Sequence, residues 1–319
     1  MLVQILILIG GLILILLGAN YLVDGASSIA KRFGISEFVI GLTIVGIGTS
    51  SPEMVVSFMS AIKGNADMAI GNIVGSNIFN SLMILGITAL VAPLAITNKN
   101  LKKDIPLNII VTALLIILGM NFTLFGIGEN TISRIDGLIL LGIFACYMWV
   151  SFKSDKGDEA EGEEGTVSRN LAVSIIMVIG GLAALIFGGR LFVNSATALA
   201  QMFGVSDKFI AITVMAAGTS MPELATCVVA ALKGRGQLAL GNVLGSNISN
   251  ILLILGGSAL ICPLSFSGMT SIDLVVVFLC AVFIFLSAFL FRKKELDRVE
   301  GVIFLLTEAA YMWYLISNL

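Results

Sequence analysis

Apolar residues fill most of this chain in long runs, separated by short polar clusters. The runs predict ten helices at roughly 2–23, 37–62, 68–93, 104–122, 134–152, 170–193, 208–232, 238–262, 271–291 and 299–317. Each is near the ~20 apolar residues that a helix needs to cross ~30 Å of hydrocarbon. One interruption is longer. Residues 153–169 carry Asp155, Asp158, Glu159, Glu161, Glu163 and Glu164 among Gly157, Gly162 and Gly165, which predicts a flexible, solvated linker. No positive stretch precedes the first run and no small-residue cleavage site follows it, so it reads as a span rather than a signal peptide.

Composition sharpens this picture. Of 319 residues, 58% are hydrophobic and 12% charged, about half the ~25% charge of a soluble domain. The 18 Lys+Arg against 20 Asp+Glu leave no basic surplus, so nucleic acid is excluded as a partner and the lipid bilayer is expected. The fold class is all-α integral membrane. Cys146, Cys227, Cys262 and Cys280 lie far apart in apolar stretches and read as small packing residues. Histidine is absent, which removes the commonest general base and transition-metal ligand. Neither an enzyme nor a cofactor is predicted. The loops after helices 1, 3, 5, 7 and 9 hold 14 Lys/Arg against four on the other side. Positive charge collects on the cytoplasmic side, so both termini should face outside and the acidic linker the cytoplasm of a cell membrane.

The chain also repeats itself. With a shift of 170, residues 33–94 fall on 203–264 without a gap, and 29 of 62 positions are identical. Gly48-Thr49-Ser50-Ser51-Pro52-Glu53 meets Gly218-Thr219-Ser220-Met221-Pro222-Glu223, and Gly71-Asn72-Ile73-Val74-Gly75-Ser76-Asn77-Ile78-Phe79-Asn80 meets Gly241-Asn242-Val243-Leu244-Gly245-Ser246-Asn247-Ile248-Ser249-Asn250. With a shift of 164, Tyr147-Met148-Trp149 meets Tyr311-Met312-Trp313. The expected organisation is therefore a repeat at 1–152, the linker at 153–169 and a second repeat at 170–319. Five spans per half make the second enter from the opposite side. Such inverted repeats characterise secondary transporters, whose sites lie near the midplane between broken helices.

Glu53 and Glu223 sit midway along apolar spans at equivalent places. A charge at the bilayer centre costs at least ~2.5–3.5 kcal/mol and is a functional candidate by default. Two of them share either protons or a cation. Pro52 and Pro222 lack an N–H, which frees the carbonyls of Gly48 and Gly218 as oxygen ligands and breaks the helices. Thr49 and Thr219 share a face with the glutamates one turn on, and Asn72, Ser76 and Asn80 line one face of the next helix, as Asn242, Ser246 and Asn250 do. The glycine pairs in this second motif also suit close helix packing. All of these ligands are hard oxygen, the chemistry of Ca²⁺, which takes ~6–8 of them. Two carboxylates balance one Ca²⁺ or nearly balance two or three Na⁺.

These paired G-T-S-x-P-E and G-N-x-x-G-S-N motifs resemble the cation/calcium exchanger superfamily, most closely its prokaryotic sodium/calcium exchanger branch, over essentially the whole chain. The resemblance implies a central Ca²⁺ site of Glu53, Glu223, Thr49 and Thr219. It implies Na⁺ positions using the same four residues with Ser50, Ser220, Ser76, Ser246 and the backbone of Gly46 and Ala216, and it sets Asn80 and Asn250 beside the glutamates. Several relatives, including potassium-dependent ones, carry aspartate where this chain has Asn250, which argues against K⁺ dependence and leaves the stoichiometry open. The expected function is Na⁺/Ca²⁺ antiport by alternating access, by a single chain that carries both halves of its site. A divalent cation/proton antiporter and a cation channel remain alternatives. Glu308 has no acidic counterpart, since Phe144 takes the matching place. The sequence leaves open whether it faces an internal cavity, sits near the interface or modulates transport.

Overall fold

A computed structural model describes residues 1–126, 129–153, 169–204, 216–266, 269–290 and 294–317. The principal helices are α1 (Leu2–Phe33), α2 (Glu37–Thr49), α3 (Ser51–Ile62), α4 (Ala66–Val91), α5 (Ile105–Gly119), α6 (Arg134–Lys153), α7 (Leu171–Met202), α8 (Met221–Leu232), α9 (Gly236–Ile261), α10 (Ser271–Leu290) and α11 (Arg298–Ser317). Local chemistry sets their ends. Gly34, at φ 63°, closes α1 in the left-handed conformation that costs glycine least, and Ser36 and Asn65 accept backbone N–H groups at the starts of α2 and α4.

Seven described helices are long and apolar enough to cross a membrane, or eight if α2 and α3, bent by 49°, form one span. The expected ten differ from this for identifiable reasons. The expected fourth run, 104–122, is met by a π-helical turn at Asn100–Asp104 and the 15-residue α5. The expected run 208–232 is described only from residue 216, as a turn at Ala216–Thr219 followed by α8. Two helices are longer than their apolar runs. α1 and α7 each contain 32 residues, about 48 Å at ~1.5 Å per residue, because no glycine or proline stops either one where its hydropathy falls. Most of the acidic linker lies outside the described residues.

α1 and α7 run antiparallel along their length, glycine against backbone. A Cβ on Gly18 would meet the Gly181 carbonyl at 2.8 Å, and one on Gly11 would meet that of Gly188 at 2.9 Å. Around the bundle, polarity is arranged inside out. In the central window of α9, 94% of residues are buried, and 72% in α4, against 22% in α1, α6 and α11. Apolar side chains such as Leu6, Ile13, Ile139 and Leu306 are exposed on the outer helices, the arrangement of a protein whose solvent is lipid.

Two short bridges tie the halves together. β1 (Leu94–Ala95) pairs antiparallel with β4 (Glu295–Leu296), and β2 (Thr131–Ile132) with β3 (Leu264–Ser265). The segment after α4 therefore pairs with the one before α11, and the segment after α9 with the one before α6.

Candidate cation site

Both expected breaks occur at serine, two residues before proline. Ser50 (φ −76°, ψ 10°) separates α2 from α3, and Ser220 (φ −89°, ψ 9°) precedes α8 in nearly the same conformation. Pro52 and Pro222 then fall in the first helical turn, where a missing N–H leaves no bond unmade. The Gly48 carbonyl, expected to lose its helical donor to Pro52, accepts from the Ser51 hydroxyl at 2.7 Å. Met221 occupies the equivalent place in the second half and can make no such bond.

The breaks put each glutamate in the first turn of a helix, where the helix dipole favours negative charge. Glu53 and Glu223 are each 1% exposed, and they are bonded reciprocally. Ser50 Oγ donates to Glu223 Oε1 at 2.9 Å, and Ser220 Oγ donates to Glu53 Oε1 at 3.1 Å. Thr49 flanks Glu223 and Thr219 flanks Glu53. Each acid is thus held by the serine of the other half's break.

The surrounding polar residues divide by role. The Thr49 hydroxyl is shared between Asn242 Oδ1 at 3.1 Å and the Gly46 carbonyl at 3.3 Å. That carbonyl also accepts from Ser246 Oγ at 3.2 Å and from Ser50 N at 3.1 Å, so in this arrangement it is occupied by protein donors. Ala216 opens the turn that leads to Thr219. Ser76 is buried on α4. Asn80 Nδ2 donates to Asn247 Oδ1 at 3.1 Å and Asn250 Nδ2 to Asn77 Oδ1 at 2.9 Å. Asn80 and Asn250 each open a π-helical segment, Asn80–Ile84 and Asn250–Leu255, a local widening often found at functional sites.

Four buried oxygens among these residues lack any hydrogen-bond partner: Glu53 Oε2, Glu223 Oε2, Asn80 Oδ1 and Asn250 Oδ1. They are chemically matched pairs, one of each kind from each half. No group of three or more His, Cys, Asp or Glu able to hold a metal occurs among the described residues. Any ion held here must therefore draw on amide, hydroxyl or carbonyl oxygen besides the two carboxylates.

Two features escape a reading by helical spacing. Asn77 and Asn247 lie off the Asn72–Ser76–Asn80 face, yet they bridge the halves, with Asn77 Nδ2 donating to the Asn247 carbonyl at 3.1 Å. Their identity in both copies was the available signal. Cys227 is also more than an apolar filler. Asn242 Nδ2 donates to its sulfur at 3.2 Å and the thiol meets the Ala239 carbonyl at 3.5 Å. Ser57, its counterpart, accepts from Asn72 at 2.9 Å and meets the Ala69 carbonyl at 3.4 Å.

This arrangement can be set beside known proteins. A family model described as sodium/calcium exchanger protein matches residues 3–153 and 173–317. The chain belongs to the sodium/calcium exchanger family. Among its relatives in this exchanger family, the sodium/calcium exchanger MaX1 of Methanosarcina acetivorans is 33% identical, over 97% of each chain. The inner membrane protein YrbG of Escherichia coli is 34% identical, over 96% of this chain and 94% of the relative. A solved structure of the sodium-calcium exchanger NCX_Mj, soaked with zero Na⁺ and Ca²⁺, matches with a TM-score of 0.82 and 29% identity, over 99% of each chain. The exchanger described here is thus a multi-pass membrane transporter, not an enzyme.

Proposed function

We propose that this exchanger moves Ca²⁺ against Na⁺ at a midplane site in which Glu53 and Glu223 bind the two ions alternately. The observation that carries this is the set of four unpartnered, buried oxygens contributed symmetrically by the two halves. A buried anion is stable when paired or when it coordinates a metal, and each of these two carboxylates accepts from a serine hydroxyl of the opposite half. Together with the Thr49 and Thr219 oxygens, the four approach the ~6–8 hard ligands that Ca²⁺ takes. Because the same two charges serve both loads, Na⁺ occupancy excludes Ca²⁺. In this reading Ser50, Ser220, Ser76, Ser246 and the backbone of Gly46 and Ala216 complete the Na⁺ positions. Gly46 becomes available when the Ser246 hydroxyl turns away.

We read the halves, 1–152 and 170–319, as inverted five-span repeats, which gives ten crossings. Antiparallel α1 and α7 and the two reciprocal bridges support this. Arg235 pairs with Glu37 at 3.0 Å, bringing the loops after spans 7 and 1 to one face, which agrees with the positive-inside count and with cytoplasmic placement of the linker. Access then alternates as the α1–α7 pair and the repeats shift against one another.

Proteoliposomes loaded with Na⁺ test the function. Wild-type protein is expected to take up ⁴⁵Ca²⁺ down an outward Na⁺ gradient and to stop when the gradient is collapsed. Uptake driven by a pH gradient in Na⁺-free vesicles would instead establish the proton-coupled alternative.

A further inference from the structure

Thr49, Asn242, Cys227 and Ala239 form a hydrogen-bonded chain beside the cation site, and all four are buried. Its direction is set at the far end. A backbone carbonyl only accepts, so the Ala239 carbonyl takes the Cys227 hydrogen across 3.5 Å. The sulfur is left as an acceptor, and Asn242 Nδ2 donates to it at 3.2 Å. With its nitrogen held there, Asn242 turns Oδ1 to Thr49, whose hydroxyl donates at 3.1 Å. The first half repeats the far end of the chain: Ser57 Oγ meets the Ala69 carbonyl at 3.4 Å and accepts from Asn72 Nδ2 at 2.9 Å.

The direction matters because a hydroxyl ligates a cation through its lone pairs, so its hydrogen must point away from the ion. At the site itself the Thr49 hydrogen has two rival acceptors. The Gly46 carbonyl lies 3.3 Å away, and Glu223 sits beside the same hydroxyl. Donated to either, the hydrogen would mask an oxygen that the ion needs. Asn242 Oδ1 is a third acceptor, nearer than the carbonyl and outside the set of proposed ligands.

We propose that Asn242 and Cys227 are positioning residues of the cation site, which draw the Thr49 hydrogen away from Glu223 and the Gly46 carbonyl and so turn the Thr49 lone pairs toward Na⁺. Neither residue touches the ion. Partners behind a ligand commonly tune a site in this way, by fixing the ligand's orientation. Serine at position 227 would pass the hydrogen bonds on in the same direction, as Ser57 does in the first half, and an apolar residue would not. The role in Na⁺ binding rests on the exchange reading above; the hydrogen-bonded chain does not.

The test is ⁴⁵Ca²⁺ uptake by full-length protein in proteoliposomes loaded with increasing Na⁺, which separates the half-maximal Na⁺ concentration from the maximal rate. Asn242→Leu should raise the half-maximal concentration by roughly fivefold to tenfold, as the loss of one buried hydrogen bond does, and Cys227→Ala by about threefold, with Cys227→Ser within about twofold of wild type. Thr49→Val removes the hydroxyl and keeps the backbone, so adding Asn242→Leu to it should raise the value no further, the signature of two residues acting through one contact. Cys227→Ala carries the test if Asn242→Leu does not fold. A lower maximal rate at an unchanged half-maximal concentration would mark a merely structural role and overturn the proposal, as would full additivity with Thr49→Val. Equal losses in Cys227→Ser and Cys227→Ala would overturn the part assigned to the thiol. A second readout is independent of transport. In protein carrying Cys146→Ala, Cys262→Ala and Cys280→Ala, the infrared S–H stretch reports Cys227 alone, and Asn242→Leu should shift it to higher frequency, because linked hydrogen bonds strengthen one another. An unmoved band would overturn the chain itself. Absence of Na⁺-driven uptake in wild type would count against the exchange reading, and the infrared band would then decide the chain by itself.

Discussion

The Ser51 hydroxyl donates to the Gly48 carbonyl at 2.7 Å, while Met221, the counterpart of Ser51 170 residues later, can make no such bond. The same halves agree closely a few ångströms further in. Ser50 bonds Glu223 as Ser220 bonds Glu53, and the two breaks share one backbone conformation. Duplication alone would preserve or erode both regions alike. Instead the reciprocal centre is kept and the flank has diverged, as expected if a shared ion constrains the first and only packing constrains the second.

The largest expected effect breaks the centre. Glu53→Gln and Glu223→Gln should each reduce Na⁺-driven ⁴⁵Ca²⁺ uptake to background while leaving the protein monodisperse, because a neutral amide keeps the shape and removes the charge. A difference between them would show that the two carboxylates are not equivalent. Next comes the close packing of α9 on α2, read from thermal melts. Gly245→Ala forces a methyl into the Leu42 backbone and should cost about 1–3 kcal/mol, as overpacking does. Ser50→Ala and Ser220→Ala remove one hydroxyl donor to a carboxylate, worth about 1.5–3 kcal/mol if the carboxylate is charged. As residues of the Na⁺ positions, they should raise the Na⁺ concentration for half-maximal exchange by similar factors. The smallest effect concerns a second reciprocal contact, Tyr311 to Asp273 at 2.7 Å against Tyr147 to Asp104 at 3.5 Å. Tyr311→Phe should destabilise by about 1 kcal/mol, and Tyr147→Phe by less, in keeping with its longer bond.

The duplicated motifs made the centre legible in the sequence. Glu53 and Glu223 could be named because a carboxylate in an apolar run is costly and two at matched positions are costlier still, while Ser50 and Ser220 came only with the resemblance to the exchanger family. Local pattern could not say who partners whom. That Ser51 takes the Gly48 carbonyl, or that Asn77 reaches across to Asn247, depends on how helices cross. The lengths of α1 and α7 were also hidden, since a hydropathy run ends where side chains become polar and a helix ends where its backbone is capped. Glu308 was visible as an anomaly, but that it is buried, with Oε2 lacking a hydrogen-bond partner, depends on how the helices pack.

The most direct test of the shared ion is crystallographic. A crystal soaked in Ca²⁺ without Na⁺ should show one anomalous peak between Glu53 and Glu223, within about 2.3–2.6 Å of an oxygen from each, and soaking in excess Na⁺ should remove it. A peak bound to one glutamate with the other turned away, or two peaks each on its own carboxylate, would contradict a single cation held jointly by both halves.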